Sequence, residues 1–586
     1  MAESKEQRLW QACTDGDLET VEELASDPAV DVNWGDAEVG RTPFYRACGH
    51  GRANVVGYLM KNPRVDVVKP RAQGATHFFI ACEVGHKEAI SLLLSDPRID
   101  PNRPVYDEAT PFFIACHRGH KEVVSLLLVD PRIDLNMPNS NGTTPFNTGC
   151  QFNHKDVVSL LLSDPRIDPN KAQNDGRTPF YISCQKGHDE VVSLLLVDPR
   201  IDPNKPKNDG TTPFSVACHR GHRGVVLAIL SDPKIDLNMP NNNGATPFYI
   251  ACQEGHKEVV SLLLVNPRID PIKPKNEGTT PFFISCQNDH REVVLMLLAD
   301  PRIDPSKPKN DGTTPFYLAC EKGRKEIVSL LLADPRIDPD KAEKGGKTPF
   351  FAACQKGHQA VVSLLLADPR VDPNKGTNEG ATPLWMSCYH LSVVLLLLAD
   401  PRVDPNKPTD HQASPLWIAS FIGHLVVVQH LLASDRDINT TMVSTDTNLS
   451  AAKQGRFMPM VPRGDNESEE EYQQTVINGP LCGDLIDEYA GDPVAVRHRL
   501  RRQPGVREHF VGHLFALVVF HSDDFVVINE RASSFTRRFF KITSRLPLDL
   551  QMLLCNRVFG SPKDIILSKH SEPYFKCLAR TTTWQQ

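Results

Sequence analysis

The sequence predicts an all-α fold: a solenoid of helix–turn–helix units followed by a small helical C-terminal domain. Three observations predict it. The pair Thr-Pro recurs at Thr42, Thr110, Thr144, Thr178, Thr212, Thr246, Thr280, Thr314, Thr348 and Thr382, in steps of 34 residues, and Thr76 keeps the register where His77 replaces Pro. Most blocks divide at Gly-His into two short amphipathic stretches and close on Asp-Pro. At 586 residues the chain is also too long for one hydrophobic core, because cores stop growing near ~250–300 residues. A repeat of this period means stacked supersecondary units.

One block shows the physics. Thr178 is a good N-cap, and Pro179 suits the first helical position, where no N–H donor is needed. Phe180, Ile182, Ser183 and Cys184 follow on a short helix, which Gly187-His188 breaks. A second helix places Val191, Val192, Leu195 and Leu196 on one side, with Glu190 and Ser193 outside. Asp198-Pro199 ends it, because the residue before Pro avoids the α region. The stretch from Asp202 to Gly210 is then extended and ends in a turn, forming a projecting finger.

The blocks follow in order. A divergent first unit runs from about Leu9 to Asn33, and twelve register-keeping units follow, the last beginning at Ser414-Pro415 after a step of 32. The unit from Thr382 lacks two residues, which predicts a shortened turn between its helices. The expected organisation is a solenoid over 1–440, a linker over 441–469, a helical C-terminal domain over 470–580 and a disordered tail over 581–586. The linker is rich in Ser, Thr, Met and Pro and carries the acidic run Asn466–Glu471. Beyond it, Leu481, Leu485 and Ile486 stand at helical spacing within 476–489. Asp492-Pro493 and Pro504 start further helices, and 535–546, 548–559 and the cap signal at Ser561 predict three more.

The segment DGRTPFYISCQKGHDEVVSLLL (175–196) resembles the ankyrin repeat, and the likeness spans about residues 7 to 440. Two departures stand out. The family's His in the first helix is aromatic in most units here (Tyr181, Tyr249, Phe283, Trp385 and Trp417 among them). The Gly that usually caps the second helix is replaced by Asp-Pro-Arg. The resemblance implies a protein-interaction scaffold with no enzymatic activity, monomeric, binding a protein or extended peptide on a concave face. It also implies which residues form that face, namely the two after each cysteine: His117 and Arg118, Gln151 and Phe152, Gln185 and Lys186, His219 and Arg220, Gln253 and Glu254, Glu321 and Lys322, Gln355 and Lys356. Finger tips such as Lys207, Asn208, Lys275, Asn276, Lys309 and Asn310 would make the groove mildly polar to basic, suited to an acidic or extended polar peptide.

Three ladders resemble chemistry and read better as structure. Cysteines from Cys48 to Cys388 recur every 34 residues, with Cys13 beginning the series. Neighbouring units stack ~8–10 Å apart, too far for a disulfide, which needs Cα atoms within ~7 Å. They are expected to be small buried hydrophobes, neither metal ligands nor bridges. The histidines from His86 to His424 are expected to hydrogen-bond to backbone, and Arg324 interrupts them. The Phe row after each Pro is expected in the core, not as a base-stacking platform. No P-loop, G-x-G-x-x-G, H-E-x-x-H or G-x-S-x-G occurs, so no catalytic residue, cofactor or metal site is expected.

A formal charge of −7 and a pI near 6.3 argue against nucleic acid, which needs a basic face. No apolar run approaches the ~20 residues needed to span a bilayer, and the first residues lack the apolar stretch of a signal peptide. No membrane association is expected, and the location expected is the cytoplasm, with access to the nucleus. The C-terminal region resembles the helical tails of uncharacterised ankyrin-repeat proteins of fungi and protists, which implies no function. Within it, LPLDLQMLLCNRV (546–558) is similar to the short helix of the SOCS box. The alternative function is therefore a ubiquitin-ligase substrate adaptor. Leu550 and Cys555 lie five apart where that motif wants four.

Overall fold

The computed structural model describes residues 3–71, 74–446, 450–457 and 469–507. Among them the chain is all-helical; the only extended pairing is an isolated bridge between Val443 and Ser450. Thirteen helix pairs follow one another from Lys5–Asp15 with Leu18–Ser26 to Pro415–Phe421 with Leu425–Ala433. We number these pairs as repeats 1 to 13. The chain divides into two compact parts, Met1–Asn276 and Glu277–Gln586. The first holds repeats 1 to 8, the second repeats 9 to 13 and the C-terminal helices.

The predicted start signal works as read. Thr178 Oγ1 accepts from the Tyr181 amide at 3.1 Å, with Pro179 at the first helical position, and the same cap recurs at Thr110, Thr246, Thr314 and Thr348. In repeat 3 His77 replaces that Pro and is fully buried. Its Nδ1–H donates to Val67 O at 2.9 Å, and its Nε2 accepts from the Thr42 hydroxyl at 3.2 Å. Burial pushes its pKa down to about 4, so the ring stays neutral.

The apolar rows lie where the period places them. Within each part the first helices of successive repeats pack on one another, and the second helices do the same. Phe112, Phe146, Phe180 and Phe248 are at most 1% exposed, and the cysteines from Cys48 to Cys388 are fully buried, all as free thiols.

Three polar ladders join neighbouring repeats. The histidines donate Nε2–H to a carbonyl of the preceding repeat: His120 to Glu83 O at 2.9 Å, His188 to Gln151 O at 2.9 Å and His222 to Gln185 O at 3.0 Å. Sequence reading expected backbone bonds here, but not that they cross the repeat boundary. Arg324 interrupts the series by pairing with Asp289 at 3.3 Å.

The Asp-Pro-Arg insertion supplies the second ladder and explains the missing glycine cap. Arg132, Arg166 and Arg200 each donate from Nη2 at 2.7 Å to Leu94, Leu128 and Leu162 O. Those leucines end the second helices of the preceding repeats. The last carbonyls of a helix have no partner within it and carry partial negative charge, so a cation there is well placed. The aspartate two residues before each arginine holds it, as Asp130 does Arg132 at 2.7 Å. Hydrogen bonding to the guanidinium keeps that carboxylate's pKa below its usual value.

The third ladder belongs to the asparagine at the root of most fingers. Asn136 Oδ1 accepts from the Asp168 amide at 3.0 Å, while its Nδ2 donates to Arg166 O at 2.7 Å. Asn170, Asn238 and Asn374 repeat the pattern.

Repeat 12 absorbs its two-residue deficit in helix and turn together. Its first helix, Pro383–Ser387, has five residues, and His390 N closes directly on Ser387 O at 2.7 Å. His390 still reaches Gln355 O at 3.0 Å, whereas His424 changes ring nitrogen and donates Nδ1–H to Cys388 O at 2.8 Å.

After repeat 13, Ala451–Phe457 packs on Pro415–Phe421, and Glu469–Gly491 and Pro493–Leu500 pack on Leu425–Ala433. The first of these helices lies in the stretch read as linker. Asp492 caps the last as expected, accepting from Ala495 N at 3.0 Å. Arg501 Nε donates to Ala433 O at 2.8 Å, at the end of the final second helix, and its guanidinium pairs with Asp435. Arg501 thus fills the role that Asp-Pro-Arg plays inside the array, so these helices close its end. The helices expected over 535–546 and 548–559, the cap at Ser561 and the SOCS-like segment lie outside the described residues.

Candidate functional site

The positions after each cysteine end the first helices and stand beside the fingers. Gln185 and Lys186 typify them: the first is half-buried and the second exposed, and Arg177 of the adjoining finger donates to Gln185 Oε1 at 3.3 Å. Gln151 and Phe152, Glu321 and Lys322, and Gln355 and Lys356 share that gradation. His219 and Arg220 are both exposed, whereas Gln253 and Glu254 are both half-buried.

Several of these side chains meet across repeats. Phe152, exposed despite being apolar, meets the His117 ring edge-on at 4.2 Å, and His117 Nδ1 lies 3.2 Å from Thr148 Oγ1. Partial burial lowers the His117 pKa. Arg118 pairs with Glu83 at 2.7 Å, and His219 Nδ1 lies 3.5 Å from Glu254.

Three tip cations are paired inside their own fingers, because the turn sets the two side chains side by side: Lys207 with Asp209 at 2.9 Å, Lys309 with Asp311 at 2.8 Å and Arg177 with Asp175 at 2.6 Å.

Two cavities open where fingers meet first helices. One, of about 540 Å³, lies in repeats 4 to 6 and contains His117, Gln151 and Phe152. Its walls also carry amides and hydroxyls, including Asn139, Thr143 and the buried Gln173, whose Oε1 has no hydrogen-bond partner. Nearby, Asn147 interrupts the aromatic row, and both ends of its fully buried amide lack partners.

The other cavity, of about 610 Å³, lies in repeats 11 to 13, with Phe351, Trp385, Met386 and Trp417 in its walls and Gln355 beside them. Sequence reading assigned Trp385 and Trp417 to the aromatic row and missed the opening. The two-residue deficit in repeat 12 was the available signal. Among the described residues no three His, Cys, Asp or Glu side chains gather as metal ligands, and no helix is long and apolar enough to cross a membrane.

A family model described as "Ankyrin repeats (3 copies)" matches residues 9–105, 98–173, 165–241, 230–308 and 302–376. Among solved structures, the chain is similar to the ankyrin repeat domain of Bcl-3, described as a unique member of the IκB family. The likeness has 21% identity and a TM-score of 0.34, covering 36% of this chain and 95% of that one. No curated protein sequence matches the chain. With its thirteen helix pairs and a family match running through residues 9–376, the chain belongs to the ankyrin-repeat family, whose fold is a non-enzymatic module for protein–protein interaction.

Proposed function

We propose that this protein is an interaction scaffold that holds a partner protein, or an extended segment of one, on the concave face formed by its fingers and first helices. One observation carries the reading. At a fixed register a half-buried polar residue stands beside an exposed one, as in Gln185 and Lys186, while the apolar rows behind them are fully buried. A half-buried side chain loses little freedom on binding and an exposed one is free to pair, the combination an interface needs. Extended concave surfaces are how solenoids generally engage partners. The contacts proposed are His117, Arg118, Gln151, Phe152, Gln185, Lys186, His219, Arg220, Gln253, Glu254, Glu321, Lys322, Gln355 and Lys356.

The test is site-specific photo-crosslinking of the full chain in cells. A benzophenone amino acid at Gln185 is expected to capture a discrete protein, while the same group at Val197, 82% exposed at the end of a second helix, is not. Equal capture at both positions, or none at Gln185, would refute the proposal.

A further inference from the structure

The cavity of repeats 11 to 13 differs from the rest of the finger-and-first-helix side in two ways. Elsewhere the aromatic after the helix-starting Phe or Leu is buried, as Tyr181 is at 2% and Phe283 at 2% exposure. In repeat 12 the shortened helix leaves Trp385 and Met386 half-exposed on the cavity wall.

The second difference is charge. Thr377 stands where Lys207 and Lys309 stand in earlier fingers. Glu379 therefore lacks the neighbouring cation that pairs with Asp209 and Asp311, and it forms no ion pair among the described residues. Asp446 adds a second carboxylate to this rim, shared with His411 at 2.9 Å, against one lysine, Lys347.

We propose that this cavity is the docking pocket for an arginine of a basic, extended peptide segment of the partner, a refinement that rests on the finger-and-first-helix side being the partner face. The guanidinium lies against the indole faces of Trp385 and Trp417 and turns its donors to Glu379 and Asp446. Electron-rich aromatic faces favour a cation, and a planar guanidinium both stacks on them and pairs in a fork with carboxylate. An acidic side chain would meet two carboxylates and the negative faces of the rings. A plain aliphatic one would leave the rim unpaired.

The test uses the full chain with 5-fluorotryptophan at its 5 tryptophans, observed by fluorine NMR, with the Trp385 signal assigned through Trp385→Phe. The probes are acetyl-Gly-Ser-Xaa-Ser-Gly amides with Xaa as Arg, Leu or Glu. The Arg peptide is expected to shift the Trp385 signal and to bind most tightly. The double change Glu379→Gln with Asp446→Asn is expected to weaken it about five- to tenfold, the worth of two exposed charge pairs, and salt is expected to do the same. A Trp385 signal unmoved by millimolar Arg peptide, or Leu or Glu peptides that bind as tightly, would overturn the proposal. The wild-type comparison of peptides decides even if the double variant folds poorly. Failure of the wider reading shows separately, as loss of the crosslinking contrast between Gln185 and Val197.

Discussion

At the root of most fingers an asparagine accepts from one backbone group and donates to another across the repeat boundary, and a carboxylate in its place can do only half of this. Asp340 is that case: Oδ2 accepts from the Asp372 amide at 2.9 Å, and Oδ1 is buried without a partner. Burial raises its pKa above the usual carboxylate value. The folded state therefore prefers the protonated acid, so stability falls as pH rises from the ordinary carboxylate range through the raised folded value. Asp340→Asn is expected to stabilise repeats 10 and 11 by about 1 kcal/mol at neutral pH. The gain should shrink toward about pH 4, as the acid regains its proton; urea midpoints of both chains at the two pH values check this. The cysteines give a second test. Burial pushes Cys13 up to about 12 and Cys184 well above its usual value. Since the thiolate is the nucleophile, neither is expected to react with iodoacetamide until urea is added, as mapped by mass spectrometry.

The paired helices owe their ends to their neighbours. Arg200 caps the second helix of the preceding repeat through Leu162 O and is held by Asp198 at 2.7 Å. Arg200→Ala is expected to cost about 1–2 kcal/mol, as loss of a charge-assisted bond in a partly solvated place. Hydrogen exchange should accelerate first at the C-terminal end of that capped helix, Lys155–Leu162. The turn between helices is as sensitive. Gly187 has φ 78°, and a Cβ there would stand 2.7 Å from His222 Nδ1. Gly187→Ala must both strain the left-handed backbone and push His222 off Gln185 O. A loss of about 2 kcal/mol or more is expected in urea unfolding.

Across the molecule, stability in such an array is close to a sum of repeat and nearest-neighbour terms, and its ends need closure. Removing Arg501 is expected to loosen repeat 13 while leaving repeats 2 to 8 as they were. Hydrogen exchange of Leu425–Ala433 in Arg501→Ala checks this; unchanged protection there would mean the apolar contacts of the C-terminal helices suffice. Most of the architecture was legible in the chain, because a strict period of Thr-Pro caps, Gly-His breaks and apolar rows constrains every block locally in the same way. The buried fate of the Phe and Cys rows followed from that period. What could not be read were relations between residues about 30 to 38 apart: the destination of each Arg, His and Asn, and the opening beside Trp385. These depend on how one repeat lies against the next, and a side chain's partner across that boundary is set by stacking geometry, which spacing along the chain does not encode.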